Sequence, residues 1–137
     1  MPPPAGEGGF SLLEVLISVL LFSVGLLALI GMQAVVVGNT MDAEYRLQAS
    51  YQANRIIGRM WVDRVNLATY DTDSEAGNDF LDDWLVDVAA ALPGASGANA
   101  PTIQVNGDQV DVVIRWRRPG DGEVRTLATT TFINGAT

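Results

Sequence analysis

A single carboxylate interrupts a long apolar run near the N-terminus of this 137-residue chain. Glu14 is the only charged residue between Phe10 and Val37, and the next charged residue after it is Asp42. A carboxylate is costly in an apolar, membrane-like environment unless it is paired, so an acid at such a position usually serves a function. Glu14 is therefore the first candidate functional residue.

A second group of acids lies in a polar segment farther along the chain, at Asp71, Asp73, Glu75, Asp79 and Asp82. Oxygen ligands at alternating positions loosely resemble a calcium-binding loop. Ala76 stands where such loops need glycine, and the last acid is an aspartate where they use glutamate. Calcium binding is one hypothesis for this segment, and an acidic solvated loop is the simpler one. We expect no other metal or cofactor.

The composition argues against several common kinds of site. The chain has no cysteine and no histidine, which removes thiolate nucleophiles, disulfides and histidine-dependent catalytic triads, so we expect no enzymatic activity. Its eight basic residues, all arginine, are outnumbered by sixteen acids, and the formal net charge is −8. Nucleic-acid binding needs a basic face that displaces counterions from phosphate, so we expect no nucleic-acid partner.

Residues 10–41 predict a membrane-spanning helix. About 20 apolar residues cross the hydrocarbon core of a bilayer, and the uncharged run 15–41 is longer than that. A secretory signal peptide has a basic start, a shorter apolar core and a small-residue cleavage site after that core, and this segment does not fit that description. A simple single-pass anchor would explain the length of the run but would not explain Glu14.

The residues around Glu14 resemble the start of type IV pilins and their relatives, the minor pilins and secretion pseudopilins. The shared pattern is a glycine before the cut, a hydrophobic first residue, a glutamate four positions later and a long apolar helix, as in Gly9-Phe10-Ser11-Leu12-Leu13-Glu14. The resemblance implies that a prepilin peptidase cleaves between Gly9 and Phe10 and methylates the new amine of Phe10. Residues 1–9 would then be a leader peptide.

The resemblance also implies a course of assembly. Residues 10–41 would first span the inner membrane as a single pass, in contact with lipid, and then enter the core of a helical filament, while residues 42–137 form a periplasmic head. The implied partners are other major and minor pilins and the inner-membrane pilus assembly machinery, and the final location is the pilus at the cell surface. The cationic amine of Phe10 needs an opposite charge among apolar helices, and Glu14 of a neighbouring subunit can supply it.

Beyond Met41 the pattern predicts that the helix continues to about Asn66. Asp42 and Arg46 have the spacing of a favourable ion pair on this helix. Apolar residues recur on one face, which we interpret as the face that packs on the core of the head. That predicted stripe consists of Leu47, Tyr51, Ile57, Trp61 and Val65, widened by Tyr45, Ala49, Ile56 and Met60.

The remaining residues predict a short helix and a small sheet. A helix starts at Asp79, with apolar residues at Phe80, Trp84, Val88 and Leu92, and ends at Leu92-Pro93-Gly94. Alternating apolar residues at 110–116, a tight turn at Asn106-Gly107 and a strand from Glu123 to about Ile133 indicate β structure. We therefore expect a pilin-like α+β fold, in which a long N-terminal helix packs against about three antiparallel strands.

A second, smaller resemblance indicates a subtype. Leu92-Pro93-Gly94, followed by a hairpin that ends in Val112-Val113-Ile114-Arg115-Trp116, looks like the C-terminal half of pilus modification minor pilins of the PilV type. The implied function is that of a minor pilin that enters or primes a type IV pilus. The alternatives are a pseudopilin of a type II secretion system and an unprocessed single-pass inner-membrane binding protein.

Overall fold

The computed structural model describes residues 8–120 and 122–135, with side chains described from Ser11 onward. The chain divides into two compact units, Met1–Met41 and Asp42–Thr137. Helix α1, Gly8–Val62, contributes to both. In the first unit, every side chain from Ser11 to Val37 is exposed.

The second unit contains the rest of α1 and all the other elements. A 3₁₀ helix at Arg64–Tyr70 is followed by helix α2, Asp79–Ala91, and by a second 3₁₀ turn at Gly97–Asn99. Strands β1 (Thr102–Asn106), β2 (Gln109–Arg117) and β3 (Val124–Phe132) form one antiparallel sheet in the order β1-β2-β3. This arrangement confirms the predicted α+β fold, a long N-terminal helix packed on a small three-stranded sheet.

The central strand β2 carries one face of the core. Its alternating residues Val110, Val112, Ile114 and Trp116 are all buried, as the alternation predicts. Strand β1 contributes Ile103, which pairs with Val112, and Ile133 closes the core just after β3. The backbone N–H of Ile133 donates to the carbonyl of Asp108 at 2.7 Å. The buried residues of β2, Ile103 of β1 and Ile133 therefore belong to one hydrophobic core.

The hairpin between β1 and β2 lies one residue later than predicted. Asn106 pairs with Gln109, so the two loop residues are Gly107 and Asp108, and Asn106 belongs to β1. Gly107 has a φ of +63°, and no described residue other than glycine has a positive φ. A positive φ at the first loop residue alone is typical of a type II′ turn, in which glycine occupies that position.

The predicted core face of α1 is right for Ala49, Ile56 and Met60, which are fully buried, and wrong for the main stripe. The α1 residues that are buried are Ala49, Gln52, Ala53, Ile56 and Met60. Leu47, Tyr51, Trp61 and Val65, which were expected in the core, are exposed, and Tyr45 and Ile57 pack only partly against it. The helix is apolar on two faces, and the core of the second unit includes the face that carries Ala49, Ala53, Ile56 and Met60.

Helix α1 also ends earlier than predicted, at Val62 and not near Asn66. Asp63 leaves the helical conformation and its carboxylate accepts hydrogen bonds from Asn66 Nδ2 at 2.7 Å and from the Tyr70 hydroxyl at 2.9 Å. These two bonds hold the pKa of Asp63 below its ordinary value. Burial, together with the bond to Asp63, raises the pKa of Tyr70. The acid thus organises the 3₁₀ turn that replaces the last turn of the expected helix.

Asp42 does not form its ion pair within the helix. Its carboxylate lies 3.4 Å from Arg125 Nε and 3.6 Å from Arg118 Nη1. Both arginines come from the region of β3 and its preceding turn, so Asp42 connects the start of the second unit to the sheet. The predicted pairing with Arg46 is replaced by these longer-range pairs.

Helix α2 begins with a side-chain cap. The Oδ1 atom of Asn78 accepts hydrogen bonds from the backbone N–H groups of Phe80 at 3.1 Å and Leu81 at 3.2 Å. Trp84, Val88 and Leu92 are buried, as predicted, and the helix ends at the expected Leu92-Pro93-Gly94 turn. The indole N–H of Trp84 donates to the carbonyl of Gln52 at 3.0 Å, which joins α2 to α1.

Removal of this cap gives a modest, measurable effect. We expect Asn78→Ala to lower the free energy of unfolding by about 1 kcal/mol, because the first N–H groups of α2 lose their acceptor. Asn78→Asp keeps the acceptor and should retain most of that stability. Urea unfolding followed by circular dichroism measures both, and equal midpoints for Asn78→Ala and the unaltered protein would show that the cap is unimportant.

Candidate processing and assembly segment

The predicted cleavage site lies at the start of α1. Gly9 and Phe10 belong to the first turn of the helix, but the side chain of Phe10 is outside the described part of the chain. Residues 1–7 of the predicted leader are likewise outside it. Cleavage between Gly9 and Phe10 and methylation of Phe10 therefore stay predictions from the sequence.

Glu14 lies on α1 with an exposed side chain. Among the described residues, none forms a hydrogen bond or an ion pair with its carboxylate, and it is the only titratable side chain between Ser11 and Met41. This arrangement provides one acceptor for a cation from another molecule. It provides no neighbouring acid or base with which Glu14 could perform proton-transfer chemistry.

Three hydroxyl side chains of the segment bond to their own helix. The hydroxyls of Ser18 and Ser23 each donate to the carbonyl oxygen four residues earlier, at 2.7 Å, and Thr40 does the same at 3.0 Å. Internal bonds of this kind remove the cost of placing a hydroxyl in lipid. Glu14 thus differs from these three hydroxyls, because none of the described residues forms such an internal bond with its carboxylate.

The rest of the segment is an uncovered apolar surface. Leu12 is 69% exposed, Phe22 68% and Leu27 69%. The helix contains an 18-residue window with a mean hydropathy of 2.7, and none of that window is buried. By length and composition the helix is long and apolar enough to cross a membrane. Such a surface requires a covering of lipid or of other apolar helices.

Asp71, the first candidate calcium ligand, is engaged by the backbone. One carboxylate oxygen accepts the N–H of Asp73 at 2.8 Å and the other accepts the N–H of Val105 at 2.9 Å. The adjacent Thr72 bonds to both backbone groups of Ile103, through its own N–H and its hydroxyl. Asp71 and Thr72 therefore cover the outer edge of β1, a role that the sequence analysis missed. The Asp-Thr-Asp run favours an Asx turn, and it is the sequence feature that could have indicated this role.

The remaining candidate calcium ligands belong to two different elements. Asp73 and Glu75 are exposed in the loop, while Asp79 and Asp82 occupy the first turn of α2, where carboxylates complement the helix dipole. Within residues 8–120 and 122–135, no three acidic side chains are close enough together to hold a metal ion. Calcium binding stays a prediction that this geometry does not favour.

Comparison with known families gives one match. Residues 5–30 match the prokaryotic N-terminal methylation motif, and this stretch includes Gly9, Phe10 and Glu14. No curated protein and no solved structure matches the chain. The motif implies processing by a prepilin peptidase and assembly with other pilins, and it agrees with the exposed apolar helix. The chain therefore carries a prepilin-type N-terminus, which supports a membrane-anchored protein of the type IV pilin-like family.

Proposed function

We propose that this protein is a minor pilin of a type IV pilus, cleaved between Gly9 and Phe10 and then assembled into the filament or used to prime it. The observation that carries the proposal is the methylation motif at residues 5–30, with Glu14 as the one carboxylate of the uncovered apolar segment 11–41. In this function, lipid of the inner membrane covers the helix first and neighbouring pilin helices cover it afterwards.

In this function, the carboxylate of Glu14 fixes the axial position of each subunit relative to its neighbour. Cleavage would give Phe10 a cationic amine, and in a bundle of apolar helices this amine and Glu14 of a neighbour satisfy each other. Loss of one member of a buried ion pair costs about 3–5 kcal/mol, because the other charge is left without a partner. Since 1.4 kcal/mol corresponds to a factor of ten, the pair can discriminate correct from incorrect packing by about 100-fold or more.

The two parts of the sequence pattern on which the proposed minor-pilin subtype rests contact each other in the second unit. The backbone N–H of Arg117, at the end of β2, donates to the carbonyl of Pro93 at 2.8 Å. This bond joins the two parts of the pattern that resembles PilV-type minor pilins, the Leu92-Pro93-Gly94 turn and the β1–β2 hairpin. Gly94 has a φ of +71°, and a Cβ at this position would lie 3.2 Å from that of Arg117. The close approach therefore requires glycine.

The proposal is tested on the native protein. Intact-mass measurement and N-terminal sequencing of protein purified from membranes should give Phe10 as the first residue, carrying one added methyl group. A product that begins at Met1 would contradict the proposal and favour an unprocessed inner-membrane binding protein. A processed product that never appears in sheared pili would favour the pseudopilin of a type II secretion system.

Replacement of Glu14 separates processing from assembly. We expect Glu14→Val to be cleaved normally but to be depleted in sheared pili by about 100-fold, because the amine of a neighbouring subunit then lacks its partner. Glu14→Gln keeps the shape and should fail equally, whereas Ser18→Ala on the same face should assemble normally. Quantitative immunoblots of pili against membranes measure all three. Normal incorporation of Glu14→Gln would remove the charge-pairing explanation.

A further inference from the structure

Helix α1 has an exposed apolar face in the second unit, opposite the face that packs on the core. Leu47 is 72% exposed, Tyr51 61% and Trp61 42%. On the opposite side of the same helix, Ala49, Ala53, Ile56 and Met60 are almost fully buried. Side chains of this size on a solvent-facing helix surface are typical of an interaction site when they are contiguous.

The exposed face has the spacing of a helix-pairing surface. Its members follow one another at alternating intervals of four and three residues, at Leu47, Tyr51, Asn54, Gly58 and Trp61, and we call this set the outer seam. All five are exposed. Alternation of three and four places residues on a narrow stripe that meets a second helix in a left-handed pair. The partner with the matching shape is therefore another helix.

The chemistry of the outer seam suits close packing. None of its members is charged, and the whole stretch 45–62 contains no acid. A Cβ built on Gly58 would meet no atom within 4 Å, so a partner helix can approach closely at this point. Tyrosine and tryptophan, which stand on either side of Gly58, are the side chains that most often dominate binding energy in protein interfaces.

We propose that the outer seam binds the outer seam of a second copy of this chain, in parallel and in register. Asn54 selects this pairing, because an amide within an apolar seam is satisfied by the same amide of an in-register copy. In this register Gly58 faces Gly58, which gives the closest approach between the two backbones. An out-of-register pair would leave the Asn54 amide against apolar side chains.

The flanking positions agree with a parallel pair of identical helices. In such a pair, Ser50 faces Arg55 of the other copy, and Ile57 faces Val62, so no like charges meet along the outer seam itself. Glu44, one turn before Leu47, faces Glu44 of the other copy, so the close pairing begins at Leu47. Arg55 is already bonded to Asp87 and lies over the ring of Phe80, which directs its charge away from the seam. The same apolar segment precedes the outer seam in both copies, and a parallel pairing lets both segments enter one membrane.

The net charge of −8 does not prevent this pairing. Repulsion between two acidic copies depends on where the acids lie, and the segment that carries the seam has none. The proposal does not rest on the proposed function, because it requires neither cleavage at Gly9 nor a filament. It requires only that two copies lie in the same membrane.

Disulfide cross-linking of the full chain in native membranes tests the proposal. The chain has no cysteine, so each introduced thiol is unique. Leu47→Cys and Trp61→Cys, at the two ends of the outer seam, leave Asn54 and Gly58 unchanged, and each should give an oxidised species that contains two copies, because an in-register pair brings equivalent Cα atoms into the roughly 4.4–6.8 Å range of disulfides. Val86→Cys on α2 is the matched control, since Val86 is equally exposed, at 68%, but is not part of the seam.

A second variant tests the seam chemistry without disturbing the core. Tyr51→Glu added to Leu47→Cys should reduce the dimer at least tenfold, because two carboxylates then face each other in an apolar interface. Equal cross-linking with and without this change would overturn the proposal. So would the absence of a dimer at both seam positions, equal cross-linking at Val86→Cys, or a cross-linked species in which mass spectrometry finds a different protein.

The same measurement in a Gly9→Val background keeps this inference separate from the proposed function. We expect the dimer at Leu47→Cys to persist in the uncleaved protein, because the outer seam is remote in sequence from the cleavage site. Loss of the dimer in that background would show that pairing depends on processing. This result would overturn the proposal that two copies pair without cleavage at Gly9.

Discussion

The replacement Gly9→Val should leave the protein uncleaved, with its mature form almost absent from membranes. The residue before the cut must let the peptidase approach the backbone closely, and a β-branched side chain obstructs that approach where glycine does not. Uncleaved protein keeps residues 1–9, so Phe10 has no free amine with which Glu14 of a neighbour could pair. The variant should therefore accumulate in the membrane and be missing from pili.

Gly8→Val is the matched control for this prediction. It introduces the same side chain one residue earlier, outside the position that the cut requires, and it should be cleaved at close to the normal extent. Intact-mass measurement of both proteins from membranes gives the result directly. A mature mass starting at Phe10 in Gly9→Val would contradict the assigned cleavage site.

The second large effect is expected at Trp84 in the core of the head. This side chain is fully buried, and its N–H donates to the carbonyl of Gln52. Trp84→Ala should lower the free energy of unfolding by about 3–5 kcal/mol, because it removes a large apolar side chain and leaves a cavity between α2 and α1. Most small domains have only about 5–15 kcal/mol of stability, so this variant should be poorly folded at physiological temperature.

Two further substitutions make this result specific. Trp84→Phe keeps much of the apolar volume and should lose clearly less stability than Trp84→Ala. Phe132→Ala removes an aromatic side chain that is 60% exposed and should change stability by less than about 1 kcal/mol. Chemical unfolding of residues 42–137, which contain the whole described core, measures all three. Similar losses for Trp84→Ala and Phe132→Ala would show that burial is not the cause.

The elements of the head were predictable where a local pattern determines them. Strand β2 follows from strict alternation at 110–116, and α2 follows from its four-residue spacing and from the Leu92-Pro93-Gly94 stop. The β1–β2 turn follows from Gly107, although the pairing of Asn106 with Gln109 places the loop one residue later. In each case the residues that decide the structure are close together in the sequence.

The buried face of α1 was not predictable in the same way. Residues 45–62 are apolar on two faces, and either face satisfies a helical period. The choice between them depends on the sheet, whose contacts come from residues more than 40 positions later. Small Ala49 and Ala53 allow close packing there, whereas Tyr51 and Trp61 would not fit so closely. The role of Asp71 at the edge of β1 is long-range for the same reason.

The structure of the N-terminal segment, unlike the buried face of α1, was predictable from the sequence. Its helix and its exposed apolar surface follow from composition alone, and the match at residues 5–30 agrees with the motif read from Gly9 to Glu14. Processing, the charge partner of Glu14 and the occupant of the apolar surface involve other molecules. The motif predicts the processing, but the structure of a single chain contains none of these other molecules.

The position of Ile133 has a consequence for biogenesis. This fully buried residue follows β3, so the hydrophobic core of the head is incomplete until position 133 has left the ribosome. The apolar stretch at 11–41 is synthesised much earlier and is available to the membrane insertion machinery from the start. In the proposed function, insertion therefore precedes folding, and residues 42–137 cross the membrane as an unfolded polypeptide that folds only on the far side.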